Sequence, residues 1–401
     1  MNLYHHYHAI RQHRIINSDF HLFELSVWIH VFGRALISVF IPIFLLQLGY
    51  STGNIMTYYF LYCLFDLPLN FVARWSTRRL GARLTIAVST AATILFLFIL
   101  LGMSTNHWPL LIALALSAAV YDALYWVAHI FLFMESSKKR GRMSRDTSSL
   151  SIIRQFGGLL APAFGAVVLI FLHQQMLIIL SVAILAASVV PLFMAKNLPD
   201  KPSTPQRSLK QFFSRKADLR EYVIMSLYGV DGAVEDIIWP IFIFSLFASI
   251  QSVAIIPLTA SVTTIIFTYF AGRISEHYRL KAMTIGGLMI AFIWISRLLI
   301  EVPLYYYGSV FLTGLFAVLI LIPMDSTIYE RAEKTDALSA SMYRNFFNMV
   351  SQTLLFGVLA LLTNVFQISF LLAATSALLI AVIAMFVGGA NQTSRSRKAV
   401  V

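Results

Sequence analysis

The chain has 401 residues, 59% of them apolar and only 12% charged, against roughly 45–50% and about 25% in soluble globular proteins. A surface of that composition cannot be covered in water, so a soluble fold is excluded and a lipid-facing one remains. The net charge of +12 does not point to nucleic acid, because the basic residues sit in short connections between apolar runs.

The chain opens on a polar, His/Arg-rich segment from Met1 to Ser18 with no apolar core ahead of a cleavage site, so no secretory signal is expected. His5, His6, His8 and His13 lack a fixed ligand spacing and read as an interfacial segment rather than a metal site. Apolar runs then follow at about 21–46, 52–73, 84–102, 108–134, 149–172, 176–195, 220–247, 252–271, 282–301, 304–329, 338–362 and 367–389. Each is close to the ~20 residues a spanning helix needs. They are continuous rather than alternating in ~10-residue segments, which excludes a β-barrel. The expected fold is an all-α integral membrane protein of twelve transmembrane helices. The single cysteine, Cys63, lies inside the second span and allows neither a disulfide within the chain nor a Cys-based metal site. No cofactor or metal is expected.

The connections carry the orientation. Of 30 Lys and Arg residues, all but Arg34, Arg154, Arg297 and Arg344 lie in the two terminal segments or in connections that follow even-numbered spans. Connections after odd-numbered spans carry none. Cytoplasmic loops hold the Lys/Arg excess, so both termini are expected in the cytoplasm. The longest connection, 196–219, contains Pro199, Pro202 and Pro205 and reads as a cytoplasmic linker. It separates an N-terminal six-helix bundle (1–195) from a C-terminal one (220–401).

These halves repeat. Ser149-Leu-Ser-Ile-Ile-Arg154-Gln-Phe156 returns as Ser339-Ala-Ser-Met-Tyr-Arg344-Asn-Phe346, with Asp146 matched by Asp336. Pro42-Ile-Phe44 in the first span returns as Pro240-Ile-Phe242 in the seventh. Parallel six-helix repeats of this kind build major facilitator transporters.

The chain resembles the major facilitator superfamily over essentially its whole length. That family's G-x-x-x-D-[RK]-x-G-x-[RK] signature follows the second and eighth spans. The second copy reads Gly272-Arg-Ile-Ser-Glu276-His277-Tyr-Arg279-Leu-Lys281, with Glu for Asp and Arg279 for the second Gly. The first keeps Arg79, Gly81 and Arg83 but has Arg74 for the first Gly and Arg78 for the Asp. The resemblance implies a latch between the halves in which an acid such as Glu276 meets a helix N-terminus. The alternative is that these are only basic loops. In the fifth span, Gly157-Gly158-Leu-Leu-Ala161-Pro162-Ala-Phe-Gly165-Ala166 is similar to the antiporter motif of proton-coupled exporters in this superfamily. Plain small-residue packing would produce the same string.

Ionisable groups at bilayer depth are functional candidates by default. In the superfamily the first, fourth, seventh and tenth spans line the cavity, which implicates Arg34, Asp122, Asp231, Glu235 and Asp236. Asp231 and Glu235 are i,i+4 on one helix face, with Asp236 about 100° round. Carboxylates sharing a poorly hydrated site cannot easily both ionise, so Asp231, Glu235, Asp236 and Asp122 are the proton-coupling candidates. Arg34, Asp122, Trp126 and Trp239 are the substrate-binding candidates. Arg34 either clamps an anionic substrate group or neutralises the acids of the seventh span. His30 and His129 either join a proton relay or pack. Asp66 and Arg344 match in depth, and the second and eleventh spans meet in this superfamily. Together with Arg154, Asp325 and Glu276 they form the gating set, Asp325 being the alternative partner of Arg344. Arg297 and Glu301, i,i+4, read as a structural pair.

The expected activity is secondary transport by alternating access: a proton-coupled antiporter exporting small molecules across the cell membrane, not an enzyme. The expected partners are a small-molecule substrate, protons and the lipid bilayer, with the chain working as a monomer and no nucleic acid. Seven embedded acids (Glu24, Asp66, Asp122, Asp231, Glu235, Asp236 and Asp325) against four arginines favour protons and cationic substrates. The alternatives are a uniporter or symporter of a polar or anionic metabolite using Arg34, Arg154 and Arg344, and a non-transporting sensor or scaffold. The orientation is checked by labelling single cysteines. Lys139→Cys and Lys201→Cys should react only after the membrane is opened, and Thr363→Cys from outside. External labelling at position 139 would reverse the topology.

Overall fold

The computed structural model describes residues 2–399 apart from 106, 142, 203–208, 214–215 and 335; side chains are also not described at 2–17, 143–145, 148, 159, 209–210, 216–218, 261, 264–265, 268–278, 331, 333–334 and 387–399. All regular structure among the described residues is helical. The helices are α1 (Asn2–Ser38), α2 (Ile41–Gln47), α3 (Thr52–Leu80), α4 (Ala82–Leu101), α5 (Trp108–Arg140), α6 (Met143–Phe171) and α7 (Gln174–Met194). They continue as α8 (Leu209–Phe212), α9 (Lys216–Ala233), α10 (Trp239–Phe247), α11 (Ile250–Leu299), α12 (Pro303–Lys334), α13 (Ala337–Ala360) and α14 (Val365–Ala399).

Every apolar run of the sequence lies in one of these elements. The first is α1 plus α2, broken just ahead of Pro42, which sits in the first turn of α2, where a missing N–H costs nothing. The seventh is α9 and α10 joined by a π-helical turn over Val234–Ile238. The eighth and ninth, expected as two spans, both lie within one continuous helical run, α11, of 50 residues. At 1.5 Å per residue that is about 75 Å, the length of two crossings.

Nine of the described segments are long and apolar enough to cross a membrane: the first six spans, the ninth, the tenth and the twelfth. The seventh is interrupted by the π-turn and carries Asp231, Glu235 and Asp236 away from its ends. Of the eighth, only Ile250–Ala260 counts as an apolar helix. The eleventh holds Arg344, Asn345, Asn348 and Gln352 on α13, polar groups that must find partners inside the protein.

Contacts gather the chain into two compact units. The first comprises Met1–Ser38, Leu61–Phe212 and Tyr329–Phe346; the second comprises Val39–Phe60, Phe213–Ile328 and Phe347–Val401. Each therefore takes segments from both halves of the sequence.

In the first unit, α1 lies so close to α7 that a Cβ on Gly33 would meet Ile184 Cγ2 at 2.9 Å, and so close to α6 that one on Gly157 would meet Val31 Cγ1 at 3.1 Å. Gly157 of the antiporter-like string thus serves close packing. Gly81, between α3 and α4, has φ +98°, a conformation that favours glycine, and a Cβ there would lie 2.4 Å from Asp200 Oδ2. Asp200 completes the start of α4: its carbonyl accepts from Ala82 N at 2.7 Å and its carboxylate from Arg83 N at 2.8 Å. Gly81 and Arg83, two of the signature residues kept in this chain, therefore hold the first part of the linker.

In the second unit, successive glycines on α11 face different neighbours. A Cβ on Gly286 would lie 2.9 Å from Phe316 O and Ile320 Cγ1 of α12, and one on Gly287 would lie 2.6 Å from Ala377 O of α14. Backbones that close pack without side-chain intermediaries. Gly287→Ala should force α11 and α14 apart and cost about 1–3 kcal/mol, read as a lower melting temperature of the purified protein. An unchanged melting curve would contradict this packing.

Candidate functional site

Two buried polar centres stand at membrane depth, one in each unit. In the second unit, Asp231 on α9 and Glu235 on the π-turn both reach α11. Trp294 Nε1 donates to Asp231 Oδ1 at 2.6 Å. Arg297 grips Glu235 with both guanidinium nitrogens, Nη1 to Oε2 at 2.5 Å and Nη2 to Oε1 at 3.1 Å. Two more of its five N–H donors are used as well: Nε to Ser309 Oγ at 2.8 Å and Nη2 to Thr313 Oγ1 at 3.2 Å, both on α12. The guanidinium carbon lies 3.9 Å from the Trp239 ring centre and 4.3 Å from that of Trp294, within the range of cation–π attraction.

This corrects the expectation for Arg297. Its partner is Glu235, 62 positions away, rather than Glu301 one turn on. The shared face expected for Asp231 and Glu235 is present, with one helix, α11, answering both. Asp236 points elsewhere and is exposed. Trp239 is fully buried among Trp294, Tyr306 and Phe370, so in this conformation its ring is covered by protein.

In the first unit, Asp66 and Asn70 on α3, Asp122 on α5 and Asn345 on α13 meet, all four buried. Asn345 Nδ2 lies 3.2 Å from Asp66 Oδ1, 3.1 Å from Asn70 Oδ1 and 3.3 Å from Asp122 Oδ2. Asn70 Nδ2 donates to Asp66 Oδ1 at 2.5 Å. Tyr62 and Trp126 also hydrogen-bond to Asp122. Of the gating pair read from depth, Asp66 is thus met by Asn345, the residue after Arg344. Arg344 and Asp325 are both part-buried, on α13 and α12, and the side chain of Glu276 lies outside the described residues. So do the four N-terminal histidines.

Beside this centre runs a stacked column. Arg34 sits 4.7 Å over the Tyr121 ring. His30 stacks on Tyr125 at 4.0 Å and shares a 3.0 Å hydrogen bond with the Tyr121 hydroxyl. His129 stacks on the other side of the column, 5.1 Å from Tyr125, and Arg154 donates to its Nε2 at 2.5 Å while lying 5.1 Å over Trp126. Arginine can only donate, so His129 Nε2 is an unprotonated acceptor. That geometry fits the packing reading of His129 better than a relay.

A third contact was not legible as such. Arg74, at the end of α3, donates from Nη2 to Ser339 Oγ at 2.6 Å and lies 3.7 Å from Asp336. Asp336 in turn caps α13, accepting from Ser339 N at 3.2 Å and from the Ser339 hydroxyl. The residue that departs from the family signature, Arg74 for Gly, is the one that reaches the start of α13. Its signal was the repeated Asp/Ser pair at 336 and 339.

The profile of the Major Facilitator Superfamily matches residues 24–258, more than half of the chain. The chain belongs to the major facilitator superfamily. Solved structures agree in fold. The crystal structure of the human organic anion transporter MFSD10 (TETRAN) matches at TM-score 0.64 and 12% identity, covering 92% of this chain and 99% of that one. A mutant of the nucleoside transporter NupG matches at TM-score 0.68 and 16% identity, with the same coverages. No curated protein matches by sequence. The fold is the twelve-helix major facilitator one, six helices to each half of the sequence, and the protein is a multi-pass membrane transporter.

The Arg297–Glu235 pair can be measured without knowing the substrate. Deleting one charge leaves the other buried, which should cost about 3–5 kcal/mol. Glu235→Gln and Arg297→Gln should each lower the melting temperature, and the double variant should lose less than their sum. Strict additivity, within about 0.5 kcal/mol, would show the two groups to be independent.

Proposed function

We propose that this transporter exports small molecules in exchange for protons by alternating access of its two sequence halves, 1–195 and 220–401 about the linker 196–219. In this reading it sits in the cell membrane as a monomer, with both termini and every Lys/Arg-bearing connection in the cytoplasm. The observation that carries it is the π-turn at Val234–Ile238. A π-turn inserts one residue into a helix, is rare, and is found mostly at functional sites. Here it carries Glu235 and Asp236 at membrane depth, one turn from Asp231.

Glu235 is held by a base rather than by water. A proton arriving on Glu235 would remove one partner of the Arg297 pair and free the guanidinium to seek another, so that protonation and helix rearrangement are linked. The acid excess at depth favours cationic, amphipathic substrates. The antiporter-like string Gly157–Ala166 supports export, although Gly157 packs against α1 in either case. A second reading, transport of an anionic or polar metabolite, is favoured by Arg34 and Arg154. Both are part-buried arginines lying over aromatic rings in the first unit. The structural neighbours, an organic anion and a nucleoside transporter by name, share only the fold at these identities, and fold does not supply the substrate.

The test uses ethidium, an amphipathic cation, in proteoliposomes. An imposed pH gradient should drive ethidium in the wild type. Asp231→Asn/Glu235→Gln should abolish that movement while leaving ethidium exchange at equal pH measurable. Asp231→Asn alone, which keeps the Arg297 pair, serves as the milder variant. Undiminished gradient-driven movement in the double variant would remove these residues from coupling. A wild type that ignores ethidium but moves an organic anion would favour the second reading.

A further inference from the structure

We infer that Asp66 and Asp122 together bind one proton, forming a second protonation site in the first unit, apart from the acids of the π-turn. The inference deepens the proton-coupled reading above and rests on that reading only for its role in transport.

The geometry is one of missing donors. Asn345 offers two N–H groups from a single nitrogen to three acceptors, Asp66 Oδ1, Asn70 Oδ1 and Asp122 Oδ2, all within 3.3 Å. Asp66 Oδ1 also takes the donor of Asn70, whereas the buried Asp66 Oδ2 has no side-chain donor; the backbone of Ala123 hydrogen-bonds to the same carboxyl. Asp66 is 0% exposed. A buried carboxylate oxygen without a donor costs the full desolvation penalty of the group. Asp66 lies against Asp122, within hydrogen-bond reach of its carboxyl. An ionised carboxylate is an acceptor only, but a protonated one is also a donor. One proton placed between the two carboxyls therefore supplies the missing donor and removes the repulsion of two like charges.

Charge agrees. A base acting on the pair is Arg34 of α1, through Asp122. The other titratable groups facing it are Tyr62 and Cys63 of α3 and Tyr121 of α5, all neutral in the ordinary range. α13 contributes the uncharged Asn345. Two ionised carboxylates this close repel each other in a low-dielectric site, and one shared proton removes that repulsion. The proton comes from water and returns to it. The pair titrates as a unit, with no separate assignment to either residue.

Asn345 ties the site to the rest of the sequence, since it bridges carboxylates 279 and 223 positions away. Withdrawal of α13 takes donors from both acids at once.

Infrared spectroscopy of the purified full chain at neutral pH, without substrate or gradient, tests the site. The wild type should show the carbonyl band of a protonated carboxylic acid, sensitive to exchange into heavy water. Asp66→Asn should remove it, because Asp122 then keeps Tyr62, Trp126, Asn345 and Arg34 and needs no proton. Asp122→Asn should shift its frequency, because the hydrogen-bond acceptor changes from carboxylate to amide. Absence of the band in the wild type overturns the inference whether or not either variant folds. So does a band unmoved in both variants, which would belong to another acid. Ethidium flux bears on the transport reading alone, so the two can fail separately.

Discussion

The bilayer offers buried polar groups no water, so each must be answered within the protein, and the organisation of both polar centres follows from that demand. Arg297 shows how far it reaches. Its three nitrogens make four hydrogen bonds, to Glu235, Ser309 and Thr313, and its guanidinium carbon lies close to two indole rings, those of Trp239 and Trp294. Three helical segments contribute to one guanidinium: α11 carries it, the π-turn gives the acid and α12 gives the hydroxyls. Such a group fixes the relative placement of those segments as firmly as apolar packing does. The close approach at Gly286 brings α12, which supplies the hydroxyls, against α11.

Much of the fold was legible in the sequence, because hydropathy over twenty residues is a long, redundant signal. The repeat and the family were legible too, since Ser149–Phe156 and Ser339–Phe346 share spacing as well as composition. Partner assignments were legible only where they are local. Arg297 was matched to Glu301 by the i,i+4 rule, yet its acid sits 62 positions away and reaches it through tertiary packing that no helical spacing encodes. Asp66 was matched by depth to Arg344, and the structure brings the next residue, Asn345, to it. Matching by depth pairs charges and passes over amides. In lipid an amide satisfies a carboxylate without importing a second charge, which makes Asn70 and Asn345 the cheaper partners there.

The repeated Asp146 and Asp336 show how one sequence element serves two structural ends. Asp146 is answered locally: the Ser137 hydroxyl donates to it at 2.9 Å and Arg140 lies 3.7 Å away, both from the helix just before it. Asp336 is answered from afar, by Arg74 of α3. The first arrangement is indifferent to where other helices go, because its partners are tied to it by a few residues of chain. The second cannot be. Any displacement of α13 against α3 must break the Arg74 contacts with Asp336 and Ser339, and with them the Asn345 bridge to Asp66 and Asp122. These two sets of contacts lie along the same pair of helices, so they open and close together. The clamp at the helix start and the carboxyl pair deeper in the membrane are therefore one mechanical unit. In it, the protonation state of the pair and the position of α13 each constrain the other.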